Sequence, residues 1–268
     1  MRDLAALERH LAAMGRVVLG YSGGVDSSLL AVAGTRALGP GHFLAVTGES
    51  ASYPAAQWRA AEDCARRFAV PLRTLATAEL DDPRYRANDP DRCYFCKREL
   101  WSRLSALARA EGFDAVIDGT HAEDLSGHRP GLRAAEELGV RSPLAELGWT
   151  KVEIREAARA LGIPGWDTPS SPCLSSRIRY GLEVTPARLG QVEAAEALLR
   201  RLGVRGDLRV RHLGDTASVE VRAEEFALVD AHWDLIAAEL ADLGFAAAER
   251  SPRGYRPGAL LALASAER

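Results

Sequence analysis

Aromatic residues fill only 6% of the 268 positions, and the chain holds four cysteines and two methionines. Four cysteines in a chain this long do not make a disulfide framework. They are expected as reduced thiols that serve as core residues, metal ligands or reactive groups. No apolar run approaches the roughly 20 residues that a membrane-spanning helix needs. The N-terminal stretch MRDLAALERHLAAMGR has an amphipathic helical pattern with acids in it and no signal-peptide core, so a cytoplasmic protein with no membrane partner is expected. An excess of charge is missing too: 34 basic side chains stand against 37 acidic ones, a formal net charge of −3. The balance does not suit a strongly cationic nucleic-acid binder, and no nucleic-acid partner is expected. There is no internal repeat and no low-complexity tract.

Apolar material is plentiful, at 47% of residues, enough for one large core or two modest ones. In the first 160 residues short apolar runs alternate with helical patterns. Arg16–Tyr21, His42–Thr47, Pro71–Ala76 and Asp114–Gly119 read as strands. Ser27–Leu38, Pro54–Phe68 and Lys97–Ala110 read as helices, and another helix follows a Thr150 cap. This order predicts an α/β fold, a parallel sheet with helices on both faces. The texture then changes. Ile163–Gly181 holds three prolines, two glycines and five Ser/Thr residues and reads as a long loop. Beyond it, Thr185 caps a helix with Pro186 at its first position. Two strands, DLRVRHL and ASVEVR, a helix over Glu224–Leu243 and a last strand near Phe245–Glu249 complete a smaller α+β domain. The expected division is 1–165 for nucleotide binding, 166–184 as a cysteine-bearing linker, and 185–268 for substrate binding and homo-oligomer formation.

The stretch VVLGYSGGVDSSLLA (Val17–Ala31) places two glycines between a strand and a helix. Such a turn aims backbone N–H groups and the positive helix end at an anion, phosphate above all. Gly23 and Gly24 permit close approach, and Ser22, Ser27 and Ser28 offer hydroxyls. Asp26 beside a phosphate makes sense if a Mg²⁺ ion bridges the two. No Gly-Lys-Ser/Thr closes the loop, so it is not a Walker motif.

DRCYFCKREL sets Cys93 and Cys96 three positions apart just before a helix, and SSPCLSSR sets Cys173 in the long loop. A single C-x-x-C fits a zinc half-site, a redox pair or an iron–sulfur site. Three thiolates hold either a [4Fe–4S] cube with one open iron, or zinc with a water. Arg177 is placed to lower the Cys173 thiol pKa. Cys64 shares a helical face with Trp58, Ala61, Ala65 and Phe68 and reads as core.

The segments SGGVDSS, CYFCKREL, DGT…D…RPGL (Asp118–Leu132), SSPCLSSRIRYG, AAEALLRRLG and RVRHLGDTASVEV together resemble the LarE-type ATP-dependent sulfur transferases of the PP-loop ATP pyrophosphatase superfamily. The resemblance covers nearly the whole chain. It implies that ATP adenylates a carboxylate of pyridinium-3,5-dicarboxylate mononucleotide, giving pyrophosphate, and that the carboxylate becomes a thiocarboxylate for the nickel-pincer cofactor of lactate racemase. The family has a sacrificial form, in which one cysteine surrenders its sulfur. Because Cys93 and Cys96 accompany Cys173, the resemblance favours the three-cysteine form with a [4Fe–4S] cluster.

The implied cofactors are ATP, Mg²⁺ and that cluster. The implied partners are the nucleotide substrate, sulfide or another sulfur donor, and other nickel-pincer biosynthesis proteins in transient contact. Catalytic roles fall to Cys173, Asp26 and Lys97. Ser22, Gly23, Gly24, Asp26, Ser27, Ser28, Gly119 and Thr120 are expected around ATP. Asp118 ends a strand at the sheet's ligand edge, Asp124 assists there, and Arg129 is a further phosphate candidate. Arg177, Glu196, Arg209, Arg211 and Glu220 are expected at the substrate. Arg209 and Arg211 alternate on one strand face and so can address a single anion. Three rivals stay open. A PP-loop tRNA thiolase needs an RNA surface, an amide-forming adenylating ligase has no use for three cysteines, and an ATP-binding regulatory module would release no pyrophosphate.

Overall fold

The computed structural model describes residues 3–126, 130–169, 172–256 and 260. Two units make up the chain: Met1–Glu79 with Cys93–Ser171, and Leu80–Arg92 with Pro172–Arg268.

The first unit begins with α1 (Leu4–Ala12), β1 (Val17–Gly20), α2 (Val25–Leu38), β2 (Phe43–Glu49), α3 (Ala55–Arg67) and β3 (Leu72–Ala76). The chain then gives Leu80–Arg92, with the short helix α4 (Pro83–Arg86), to the second unit. It returns through α5 (Arg92–Glu111), β4 (Ala115–Ile117), α6 (Pro130–Glu137), α7 (Pro143–Glu146) and α8 (Lys151–Ala160). The four strands are parallel, in the order β3-β2-β1-β4. Strand alternation separates two apolar layers. Val17, Leu19, Phe43, Ala45 and Ile117 pack under α1, α2 and α8, beside Leu7, Leu11, Leu29 and Ile154. Val18, Leu44, Val46 and Val116 face the other way, onto Trp101 and Leu104 of α5 and Ala134 of α6. Helices therefore cover both faces, as the sequence predicts. Each fully buried leucine here contributes about 1.5–3 kcal/mol through removal from water. Cys64, at 3% exposure, belongs to the first layer.

In the second unit Thr185 caps α9 (Pro186–Arg201), its side chain accepting from Arg188 N. Then come β5 (Leu208–His212), β6 (Thr216–Val221), α10 (Phe226–Ala231), α11 (Trp233–Asp242) and β7 (Ala247–Arg250). The sheet order is β5-β6-β7, with β5 and β6 antiparallel and β6 and β7 parallel. Leu199, Val210, Val219, Ile236 and Leu240 form its core.

Three expectations are corrected. The helix expected over Lys97–Ala110 begins earlier, at Arg92, so Cys93 and Cys96 lie inside its first turns. The single helix expected over Glu224–Leu243 breaks at His232. There the ring Nδ1 takes the Leu228 carbonyl at 2.9 Å, and the backbone N–H bonds Val229 O instead of the carbonyl four residues back. The loop expected over Ile163–Gly181 is not all open coil: a 3₁₀ turn, Leu174–Arg177, is buried, and Ile178 bridges to His212. Among the described residues no helix is long and apolar enough to cross a membrane.

Candidate functional site

The order of strands reverses between β1 and β4, which makes their carboxyl ends the switch point where open parallel sheets take ligands. Ser22–Gly24 and Asp118–His121 sit there. Gly23 has φ of 65°, and a Cβ on it would lie 2.6 Å from Ala61 Cβ, so no other residue fits without strain. Gly24 is the N-cap of α2, whose first turn holds Asp26. A Cβ on Gly119 would come within 3.1 Å of Ser27 N and 3.4 Å of Asp26 Cβ. Its smallness thus lets the end of β4 approach the amide-bearing turn.

The hydroxyls of this turn are mostly turned inward. Ser27 Oγ donates to Gly24 O at 3.0 Å and lies 3.1 Å from Ser22 Oγ, and Ser28 Oγ lies 3.3 Å from the Tyr21 hydroxyl. What remains for an anion is the backbone. Thr120 donates its N–H and hydroxyl to Asp118, at 3.0 and 2.8 Å, and Ser142 Oγ reaches Asp118 at 2.7 Å. Asp118 therefore shapes the β4 turn. Asp124 accepts from His121 N at 3.3 Å and stabilises the turn that follows. Arg129 lies outside the described residues.

Three residues were missed by the sequence reading. Lys151 Nζ binds both oxygens of Asp26, at 2.7 and 2.6 Å, in a pair only 28% and 22% exposed. A signal was available: a lysine at the first position of a Thr150-capped helix faces the positive end of its dipole, where acids are favoured. Tyr53 Oη and Gln57 Nε2 both donate to Ser22 O, at 2.8 and 2.7 Å, and brace the turn from the start of α3. Burial pushes the Tyr53 phenol upward, so it stays a donor. With both oxygens of Asp26 on an ammonium, the carboxylate already occupies a cation-binding position. Its donor chemistry fits Mg²⁺ once Lys151 is displaced.

Cys93 and Cys96, at i and i+3 of α5, share one helix face; Cys93 is exposed and Cys96 half-buried. Lys97 follows them, half-buried, with Nζ 5.1 Å from the Trp101 ring centroid. Cys173, also half-buried, is the N-cap of the Leu174–Arg177 turn in the second unit. The donors fit an iron–sulfur or zinc centre in kind. Among the described residues, however, no three His, Cys, Asp or Glu side chains are gathered as a metal site.

The second unit brings its five expected residues together. Arg177, only 1% exposed, holds Glu196 with two bonds of 2.9 and 3.0 Å. It also donates to the carbonyls of Pro172 and Cys173, so its guanidinium fixes the loop backbone beside that thiol. Arg211 binds Glu220 at 2.9 Å and Ser176 O at 3.0 Å. Arg209 lies 5.2 Å from the Tyr255 ring centroid, and burial together with the Arg177 charge holds it below its usual pKa. Arg209 and Arg211 are expected to address a single anion; in the structure Arg211 also binds the Glu220 carboxylate, as a desolvated guanidinium demands.

A four-stranded parallel sheet with an amide-lined Ser-Gly-Gly turn at its switch point is the architecture of a PP-loop ATP pyrophosphatase. Residues 6–107 match the NAD synthase family. Over 257 residues, 95% of this chain and 92% of the relative, the sequence is 33% identical to pyridinium-3,5-bisthiocarboxylic acid mononucleotide synthase of Lactiplantibacillus plantarum. It is 39% identical over 259 residues, 96% of each chain, to an uncharacterized protein of Synechocystis sp.. It is 28% identical over 230 residues, 86% of each, to an uncharacterized protein of Methanocaldococcus jannaschii. The chain belongs to the LarE-type family of ATP-dependent PP-loop sulfur transferases.

Proposed function

We propose that the protein adenylates a carboxylate of pyridinium-3,5-dicarboxylate mononucleotide with ATP and converts it to a thiocarboxylate for nickel-pincer cofactor synthesis. The observation that carries the reading is the amide-lined turn beside Asp26, in a chain 33% identical along nearly its full length to a synthase of the bisthiocarboxylic acid mononucleotide.

A free carboxylate resists sulfide because oxide would have to leave. In the first step a carboxylate oxygen attacks the α-phosphorus of ATP, and pyrophosphate departs with the electrons of the broken P–O bond. In the second, hydrosulfide attacks the acyl carbon, AMP leaves, and the proton on sulfur passes to solvent. Backbone N–H groups of Gly23, Gly24 and the first turn of α2 stabilise the departing pyrophosphate. Asp26 would hold the Mg²⁺ that accompanies the nucleotide, and Lys151, once released from Asp26, would add positive charge to the same site. Lys97, next to Cys96 on α5, meets the acyl phosphate in this reading. Cys93, Cys96 and Cys173 would hold the [4Fe–4S] cluster, which when bound would supply the sulfide. Arg177, Arg209 and Arg211 bring positive charge to the phosphate or carboxylate of the substrate.

The test is anaerobic incubation with the dicarboxylate mononucleotide, ATP, Mg²⁺ and sulfide. Dicarboxylate-dependent pyrophosphate release and a thiocarboxylate seen by mass spectrometry are expected, with protein mass unchanged over repeated turnovers. Pyrophosphate release that is indifferent to the dicarboxylate would overturn the reading. Loss of one sulfur from Cys173 in a single turnover would replace the cluster by the sacrificial route.

A further inference from the structure

The sulfur chemistry alone gives no reason for the second unit to take Leu80–Arg92 from the first half of the chain. That segment ends one residue before Cys93, and its side chains are spent on the loop that begins at Cys173. Asn88 is 0% exposed and has φ of 58°, a region that asparagine tolerates better than most residues. Its Nδ2 donates to the carbonyls of Ile178, Arg179 and Leu182 at 3.2, 2.9 and 3.0 Å. Its backbone N–H donates to Tyr85 O and its carbonyl accepts from Gly181 N, both at 3.2 Å. Its Oδ1 accepts from Arg92. Arg92, 3% exposed, also donates to Ser175 O at 2.8 Å, and the Tyr85 hydroxyl lies 2.6 Å from Ser175 Oγ. Ser175 is two residues past Cys173, whose own carbonyl is held by Ser176 N at 3.0 Å and Arg177 Nη1 at 3.1 Å.

Burying a guanidinium costs free energy, and mere closure of a loop would be served as well by apolar contacts. Arg92 differs from an apolar residue in one respect: it fixes direction. It is the first residue of the helix that presents Cys93 and Cys96, and it grips the turn that presents Cys173. We infer that Asn88, Arg92 and Tyr85 are positioning residues for the sulfur-transfer step, which set the backbone of the Cys173 turn. This rests on the role proposed above for the three cysteines. Displacement of a reacting group by about 1 Å costs on the order of a hundredfold in rate, so a rigid clamp has value here that a loose contact lacks.

The experiment separates the two half-reactions in full-length Arg92→Met, Arg92→Lys and Tyr85→Phe proteins prepared without oxygen. In Arg92→Met, thiocarboxylate formation is expected to fall about a hundredfold while pyrophosphate release stays within about twofold. Iodoacetamide should modify Cys173 faster, relative to Cys93 in the same sample. Arg92→Lys should restore part of the transfer, and Tyr85→Phe should show the same split at smaller size. Equal loss in both half-reactions, or no change in either, overturns the inference. Should Arg92→Met fail to fold, Tyr85→Phe carries the test, since it deletes only one hydroxyl. Cys173→Ala serves as the control. If it transfers sulfur normally, the role given to the cysteines fails. If it is inactive while Arg92→Met behaves as wild type, only the positioning role fails.

Discussion

The two units handle charge in opposite ways. In the first, Asp26 and Lys151 meet across a partly exposed pair at the mouth of a turn whose free donors are backbone amides. In the second, Arg177 and Arg211 are buried and already bound to Glu196 and Glu220. A half-solvated pair is worth little to stability and is easily exchanged for a ligand. A buried pair is expensive to assemble and more expensive to leave half-made. The first arrangement suits a nucleotide that enters as a triphosphate and leaves as fragments. The second suits a framework that must hold its shape, here the backbone around Cys173.

The comparison can be broken by substitutions on either side. The largest effect is expected from Cys173→Ala, which should abolish thiocarboxylate formation while pyrophosphate release continues. Asp26→Asn comes next, lowering pyrophosphate release by about 10²–10³-fold with no loss of fold, as for removal of one preorganised electrostatic group. Its partner sharpens the contrast. Lys151→Met should change unfolding free energy by less than about 1 kcal/mol, yet slow pyrophosphate release. Across the molecule, Glu196→Ala should cost about 3 kcal/mol in urea unfolding, because Arg177 would be left buried without its carboxylate. A Glu196 variant as stable as wild type would show that the buried network is not what holds the second unit.

Cys64→Ala should cost roughly 1 kcal/mol of packing and alter neither half-reaction. The smallest effect concerns His212. Its Nδ1 accepts from Gly214 N at 3.3 Å and its Nε2 faces Gln191 Oε1 at 3.0 Å, an arrangement for the neutral ring. Burial, then the Arg188 charge, lowers its pKa from 6.5. The unfolded chain therefore binds the proton first as pH falls, so stability declines below about pH 6.5 and keeps declining until the folded ring titrates. Urea midpoints at acidic and neutral pH should differ less in His212→Gln than in wild type.

The continuous apolar runs of β1 and β2, alternating with helical patterns, exposed the parallel sheet in the sequence, because a strand covered by helices on both faces has no polar face. Thr150 and Thr185 marked their helices because capping is local chemistry. The phosphate turn was legible for the same reason: glycine, serine and aspartate at fixed offsets say what the backbone must do. What stayed hidden is long-range. The grip of Lys151 on Asp26 spans 125 positions, and no local pattern announces the partner. The pairing of Arg211 with Glu220 was hidden as well, since alternation shows which face a side chain leaves from and not what fills the space beyond it. The early start of α5 escaped because Arg92 serves the second unit, and a residue with a distant obligation does not look like the first residue of a helix.

Asn88 also has a place in time. During synthesis it emerges long before Ile178, Arg179 and Leu182, whose carbonyls lie 90 to 94 positions downstream. The residues of the first unit are complete by Ser171, so that unit can close around its sheet while Leu80–Arg92 still lacks its acceptors. At about 5–20 residues per second, the wait lasts several seconds on the ribosome. The segment must stay accessible through that interval, which makes the order of assembly a consequence of one borrowed stretch of chain.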